Sequence, residues 1–465
     1  GEAASAPPPT PANDMQSRTE HAAPFASLAI AKVLMVGVTA GLAAAQSERG
    51  YPRLMQGPML GPGSPTSIRI WMRGSGDFRY AVQYATSRDF ENASVTPEQT
   101  AQKRHDYTLV FEIDGLEPGT RYFYRLLAEG RVSKYQRDRL PASFETPPEE
   151  HGRFRVATGS CARAQASGVQ PIWDVVSRLE PDLFFWTGDN IYGDALDPDI
   201  LAEEYRRQRE VRSIIPVLAH VPQLATWDDH DYGLNNHDRT SPGKRDALRV
   251  FKLYWPNPSY GLPDTAGIFF SYGYRGVDFF FIDNRYHRDP NKAPNGPGKT
   301  MLGDAQFEWL VDGLERSEAV FKVIVSGSGF NSAKGLTGDA WSAFLHERDR
   351  LFNEIAERGI NGVVLFSGDT HAAELNRIES PHPLGYPFFE IASSPLAQEP
   401  TSSRPPLSGR EARLRDYYNR AANAGVIDFD TSADDPSIRA NVVNQYGEYV
   451  WDTLEIRASD LRIGK

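Results

Sequence analysis

Leu183-Phe-Phe-Trp-Thr-Gly-Asp-Asn-Ile-Tyr192 is the stretch that decides the fold of this 465-residue chain. Its apolar run is too short for a helix and stops at a glycine, so it reads as a strand buried on both faces. The chain then turns polar at once, with an aspartate and a tyrosine at the carboxyl end of the strand. The same grammar recurs four times. Phe154-Arg-Val-Ala-Thr runs into Gly159-Ser-Cys161, and Leu224-Ala-Thr-Trp into Asp228-Asp-His-Asp-Tyr-Gly233. Phe279-Phe-Phe-Ile runs into Asp283-Asn-Arg285, and Val363-Val-Leu-Phe-Ser into Gly368-Asp-Thr-His371. Helical periodicity fills the intervals at 171–179, 199–209, 246–254, 304–316 and 346–358, where Asp304 is placed to cap its helix. Further strands are expected at 321–325, 388–391 and 449–456. Alternation of this kind predicts an α/β domain over 152–465 with a largely buried sheet. In such sheets ligands gather beyond the carboxyl ends of the strands, which is where the aspartates, histidines, tyrosine and cysteine collect.

Upstream the pattern changes. Residues 51–146 read as all-β. Thr66–Arg73 and Arg79–Ala85 alternate apolar with polar residues, as do Tyr107–Ile113 and Thr120–Leu126. The turn cluster Asp114-Gly-Leu-Glu-Pro-Gly119 separates the last two, and short strands with such turns predict a β-sandwich. The segment Gly-Leu-Glu-Pro-Gly-Thr-Arg-Tyr-Phe-Tyr-Arg within it resembles the late strands of fibronectin type III domains. Pro147-Pro-Glu-Glu150 reads as a linker. Residues 1–50 form a flexible, signal-like segment. Residues 1–24 are rich in Ala and Pro, and 25–45 has the apolar run and small-residue end of a signal peptide. The alternative for 25–45 is a retained helix; Lys32 in its middle argues against a membrane span.

Composition narrows the chemistry. With 40% apolar and 24% charged residues the chain is an ordinary globular one, and its net charge of −11 disfavours nucleic acid and anionic membrane surfaces as partners. The single cysteine, Cys161, permits no intrachain disulfide. It is either a small buried apolar residue or a metal ligand. Asp189, Asp228, Asp229 and Asp369 would repel one another unless a cation joined them. Carboxylate oxygens suit hard cations, whereas imidazole and thiolate suit iron or zinc. A mixed set therefore points to two metals of unlike hardness. Each motif alone has a bland reading as a capped turn or a solvated acidic loop; it is their joint placement after apolar strands that carries the inference.

Taken together, Gly-Ser-Cys161, Phe-Phe-Trp-Thr-Gly-Asp-Asn-Ile-Tyr-Gly-Asp194, Thr-Trp-Asp-Asp-His-Asp-Tyr-Gly233, Asp283-Asn-Arg-Tyr286, Met301-Leu-Gly-Asp-Ala-Gln-Phe-Glu-Trp-Leu310, His346-Glu-Arg-Asp-Arg-Leu-Phe352 and Ser367-Gly-Asp-Thr-His371 resemble the PhoD-like alkaline phosphatases, a branch of the calcineurin-like metallophosphatases. The resemblance implies a mixed β-sandwich flanked by helices, preceded by a fibronectin III- or Ig-like domain. It implies hydrolysis of a small-molecule phosphate ester by a metal-activated water or hydroxide, with Fe3+ and Ca2+ as cofactors; Mn2+, Mg2+ or Zn2+ are compatible replacements. Cys161, Asp189, Tyr192, Asp228, Asn235, Asp369 and His371 are the implied metal ligands. Asp189 bridges, and Asn236 is the alternative to Asn235. His230, Arg285 and Asp229 are the catalytic candidates, and Arg163, Arg285 and His230 would hold phosphate. For His230 the alternative is to orient Asp228 or Asp229, and for Arg163 it is an ion pair with a structural aspartate. Residues 326–330 would line the pocket, and 334–341 would form a rim loop touching the organic part of the substrate. Export to the periplasm or beyond is the implied location. The rival readings are a phosphodiesterase or phospholipase-type hydrolase, a hydrolase of non-phosphate esters, and a catalytically inactive binding or adhesion protein.

Overall fold

The computed structural model describes residues 50–132, 142–165, 168–331, 334, 336–402 and 409–464. The signal-like stretch at 25–45 lies outside them. The strand-forming runs behave as their two-sided apolarity demands, but they build two sheets rather than one. The first sheet joins β10 (Arg153–Gly159), β11 (Leu183–Thr187), β12 (Gln223–Thr226), β19 (Asn423–Asp430), β20 (Ser437–Asn444) and β21 (Leu454–Arg457) in the order β12-β11-β10-β19-β20-β21. The second joins β13 (Phe270–Tyr274), β14 (Val277–Phe281), β15 (Phe321–Val325), β16 (Val363–Ser367), β17 (Glu374–Ile378) and β18 (Phe388–Ala392) in the order β13-β14-β15-β16-β18-β17. Both are mixed, with parallel pairs at β10–β11, β11–β12, β14–β15, β15–β16 and β16–β18.

The period of two along β11 shows how the layers hold together. Leu183 and Phe185 enter the core between the sheets, where the Phe185 ring meets Phe279 edge-on at 4.7 Å and Phe281 at 5.0 Å. Phe184 and Trp186 face the opposite way and pack on Trp173 of α1 (Ile172–Leu179). The outer layer on that side comprises α1, α2 (Pro198–Glu210), α3 (Ile215–His220), the short α4 (Asp229–Tyr232) and α5 (Lys244–Tyr254). The second sheet's inner residues share their core with α6 (Asp304–Arg316) and α7 (Leu345–Glu357). Asp304 does not cap α6: Gly303 occupies the N-cap at φ 74, and Asp304 opens the first turn.

Residues 54–145 make two further sheets. One is β1 (Leu54–Ser64), β2 (Ser67–Gly74) and β6 (Thr108–Asp114). The other is built on β3 (Arg79–Ala85) and β7 (Arg121–Ala128), with β4 (Ser94–Val95), β5 (Gln99–Thr100), β8 (Arg131–Val132) and β9 (Ala142–Glu145) at its margins. The strand β1 is the one periodicity does not announce, because Leu-Met-Gln-Gly-Pro-Met-Leu-Gly-Pro-Gly-Ser is broken by glycine and proline and its pairing with β2 shifts register three times.

This N-terminal unit is joined to the α/β region through α2 and α5. Trp71 Nε1 donates to Leu253 O at 2.7 Å, and its ring lies 5.8 Å from Tyr254. Asp106 accepts from Arg73, from Arg206 at 2.7 Å and from the Tyr254 hydroxyl. Burial by itself would raise the Asp106 pKa, but Arg73, Tyr254 and Arg206 outweigh it and hold the carboxyl below its usual value. Its stabilisation is thus complete above the ordinary carboxylate pKa and fades as pH falls through the lowered one. Asp106→Asn is expected to cost about 1–3 kcal/mol at neutral pH, with the difference from wild type shrinking below about pH 4. Denaturant unfolding at both pH values checks this, and an undiminished difference in acid contradicts it.

Candidate metal centre and active site

Four strands of two sheets, β10, β11, β12 and β16, end side by side, and each releases chemistry-bearing residues into the same space. The turns that do so are unusual. Cys161, Asp189, Asp369 and His371 all sit in the left-handed region, at φ 61, 50, 64 and 48. Non-glycine residues seldom adopt this conformation, and such strain collects at functional sites. Glycines make the close approach possible. A Cβ at Gly188 would lie 2.7 Å from that of Asp228, and one at Gly368 only 2.3 Å from Thr187 O.

The residues brought together fall into three overlapping sets whose ligand atoms lie within 4.8 Å: Cys161, Asp189 and His371; Asp189, Asp229 and His230; Asp228, Asp229 and Asp369. Asp189 and Asp229 link them. Tyr192 joins the first set, its hydroxyl 3.0 Å from His371 Nε2. Cys161 is fully buried beside Asp189 Oδ2 at 3.5 Å and receives the Ser394 hydroxyl at 3.1 Å. Burial, with the Asp369 charge, pushes its thiol up to about 11. Burial likewise raises Asp189, reinforced by Cys161 and Asp229. Asn235 is exposed, in contrast to the buried ligand set expected for it; its neighbour Asn236 donates a backbone N–H to Asp229 Oδ2 at 2.7 Å.

Arg285 departs from the phosphate-binding role expected of it. It is fully buried, and every N–H is engaged. Nε donates to Asp228, Nη1 to His237 O and Asp339, and Nη2 to Asp229 and Asp339. A guanidinium so saturated holds the aspartates in place and has no donor left for a ligand. Among the described residues, Arg163 lacks the ion pair that was the alternative to its phosphate-holding role. It is exposed and sets its guanidinium 5.4 Å from the Tyr192 ring centroid. It, and not Arg285, is the cation at the mouth of the site.

Sequence reasoning missed four participants. Lys334 bonds the Asp369 carboxylate, and Asp339 takes Arg285 and Arg288 together. Burial opposes the Lys334 charge, but Asp369 and Asp339 raise its pKa. Asp194 Oδ1 holds His230 Nδ1 at 2.6 Å, leaving Nε2 facing Asp229 and Asp189 at 3.9 and 4.0 Å. Burial would lower the His230 pKa, yet Asp194, Asp189 and Asp229 prevail and push it to about 10. Asp231 is the fourth: its buried carboxylate receives the N–H groups of Asp228 and Asn190, both at 3.1 Å, and the Tyr205 hydroxyl at 3.0 Å. It pins the turns after β11 and β12 to one another. The Asp-Asp-His-Asp spacing contained that signal for Asp231; Lys334 and Asp339 lie in the 334–341 loop, which the sequence set at the pocket rim without giving either residue a role.

The donor set fits metal ions on two counts. Six carboxylates, of Asp189, Asp194, Asp228, Asp229, Asp339 and Asp369, face four cations, Arg285, Arg288, Lys334 and a protonated His230, an excess of two negative charges. Moreover, Asp189 Oδ1 and Asp228 Oδ2 are buried without a hydrogen-bond partner among the described residues, a costly arrangement unless a cation completes it. The set with sulfur, phenol and imidazole suits a softer or ferric ion, and the all-carboxylate set a hard one. Because Lys334 supplies Asp369 with its cationic partner, Lys334→Met should lower the melting temperature of chelator-treated protein more than that of metal-loaded protein. Equal losses in the two would contradict this reading of Lys334.

Residues 156–434 match the PhoD-like phosphatase family, and residues 41–146 match the N-terminal domain of PhoD-like phosphatases. Alkaline phosphatase D of Bacillus subtilis (strain 168) is 25% identical over 392 residues, covering 73% of this chain and 64% of that protein. The chain thus spans just under two thirds of that relative's length. Among solved structures, that of PhoD superposes with a TM-score of 0.70 at 18% identity, covering 85% of this chain and 92% of the other. Purple acid phosphatase PPD1 from yellow lupin (Lupinus luteus) seeds superposes with a TM-score of 0.62 at 12% identity, covering 87% and 74%. Both likenesses establish a metallophosphatase-type fold, and the family match extends over more than half of the residues: the chain belongs to the PhoD-like phosphatase family.

Proposed function

We propose that this protein is a phosphoric ester hydrolase of the alkaline phosphatase type, acting on small-molecule phosphomonoesters. The observation that carries the reading is the uncompensated negative charge gathered between Cys161 and His371. Cys161, Tyr192 and His371 would hold a ferric ion and Asp228, Asp229 and Asp369 calcium, with Asp189 available to either. Bound metals in such a site lower the pKa of a water and polarise phosphoryl oxygens. The remaining work falls to the chain. Arg163, exposed beside Tyr192, offers paired N–H groups to the phosphate oxygens. Asp194 fixes His230 through Nδ1, so that Nε2 is the atom presented to the leaving oxygen, to which it gives a proton. Arg285 and Asp231 keep the aspartates in register. The buried walls of β11 and β12 exclude solvent from beneath.

The N-terminal two-sheet unit is read as fibronectin III-like, with domain limits at 51–146 and 152–465. Export to the periplasm or beyond rests on the apolar run at 25–45.

Turnover of a chromogenic phosphomonoester tests the proposal. Asp189→Asn should abolish it. His230→Asn should lower kcat by about 10²–10⁴-fold with KM little changed. Arg163→Gln should raise KM about tenfold, roughly 1.4 kcal/mol of binding, with most of kcat kept. An Asp189→Asn variant as active as wild type would refute the site, and an inert wild type loaded with iron and calcium would refute the activity.

A further inference from the structure

A second cavity, of about 450 Å3, opens beside the segment that follows Arg285. None of the candidate metal ligands lines it. Its walls are cationic in a chain whose net charge is −11. Lys244, Lys299 and Arg350 all face it, and none of the three has an ion pair among the described residues. Lys244 instead donates to Arg239 O and lies 4.8 Å from the Tyr286 ring centroid. Lys299 is 5% exposed and spends two donors on the carbonyls of Asn291 and Ala343. Arg350 stacks its guanidinium 3.9 Å from the Phe307 ring centroid. A fourth cation, Arg239, is paired with Asp289 at 2.8 Å.

Two carboxylates share the lining and offset part of this charge, Glu347 beside Arg350 among them. Glu347 is buried, with its oxygens taken by the Thr300 hydroxyl and the N–H groups of Met301 and Leu302. Asp304 is exposed. The first turns of α5, α6 and α7 all reach this cavity, through Lys244, Gly303 with Asp304, and His346 with Glu347. Each of these turns also carries an acid, Asp246, Asp304 and Glu347, and the His346 N–H donates to Asn295 Oδ1 at 3.4 Å, so the side chains and not the helix ends set the charge of the cavity. Three cations without an ion pair among the described residues, Lys244, Lys299 and Arg350, thus outnumber the two carboxylates of the lining and make the cavity an anion site.

We propose that this cavity binds a phosphate-class anion, separately from the metal centre. Its volume exceeds that of one inorganic phosphate, so a phosphorylated small molecule fits as well as the free ion. Equilibrium dialysis of the full chain against radiolabelled inorganic phosphate, run beside kinetic inhibition by phosphate, tests this. The expected result is that Lys244→Gln/Arg350→Gln loses one bound phosphate per chain relative to wild type, while its catalytic turnover and its inhibition by phosphate are unchanged. Arg350→Gln alone, at an exposed position, should weaken the same site at least fivefold. Equal stoichiometry and affinity in all three proteins would overturn the proposal, as would a lost phosphate accompanied by an equal loss of inhibition, which would place it at the metal centre. The dialysis difference stands whether or not the monoesterase reading does, so the two fail separately.

Discussion

Repulsion among buried carboxylates is the constraint around which this molecule is built. Asp189, Asp228, Asp229 and Asp369 end strands of two sheets and point into one space, where desolvation makes each charge expensive. Arg285 answers part of it by giving all five N–H groups to carboxylates and a carbonyl. Lys334 answers another part at Asp369. What remains is negative, with two carboxylate oxygens lacking a hydrogen-bond partner among the described residues. A hydrophobic replacement would fold more easily; retention of the charges makes sense as a seat for cations.

The surrounding architecture serves that seat. Both faces of β11 are buried, so its carboxyl end is held between the inter-sheet core and the helical layer. Rigidity also arrives from the N-terminal unit. Trp71 packs on Tyr254 and on the buried Arg209, whose guanidinium lies 4.6 to 5.4 Å from the ring centroids of Trp255, Trp71, Tyr254 and Tyr205. The Tyr205 hydroxyl then donates to Asp231, which fixes the backbone of Asp228 and Asn190. A contiguous run of packed rings and hydrogen bonds therefore leads from β2 to the turns that carry the candidate metal ligands.

How much of this the sequence made legible follows from which interactions are local. Strands such as β11 and β16 carry their own apolar signature, and the polar cluster after each is written in the same few residues. That was enough to place Cys161, Asp189, Tyr192, Asp228, Asp369 and His371 in one neighbourhood. The division into two sheets was not readable from the residues themselves, because β13, β17, β19 and β20 are short or half-polar and acquire their identity only by pairing. Arg285 was misassigned for a similar reason. It follows an apolar strand just as a ligand-binding residue would, and only its distant partner Asp339 reveals that its donors are spent. Arg163 was expected to hold phosphate, with an ion pair as the alternative, and it makes no ion pair among the described residues.

The most direct test of the central claim is elemental analysis of the purified, full chain, comparing wild type with Asp189→Asn. If the carboxylate cluster is a seat for cations, wild type carries close to two metal ions per chain and the variant loses at least one. Wild type that binds no metal after incubation with iron and calcium would contradict the account, since the excess negative charge would then be tolerated bare.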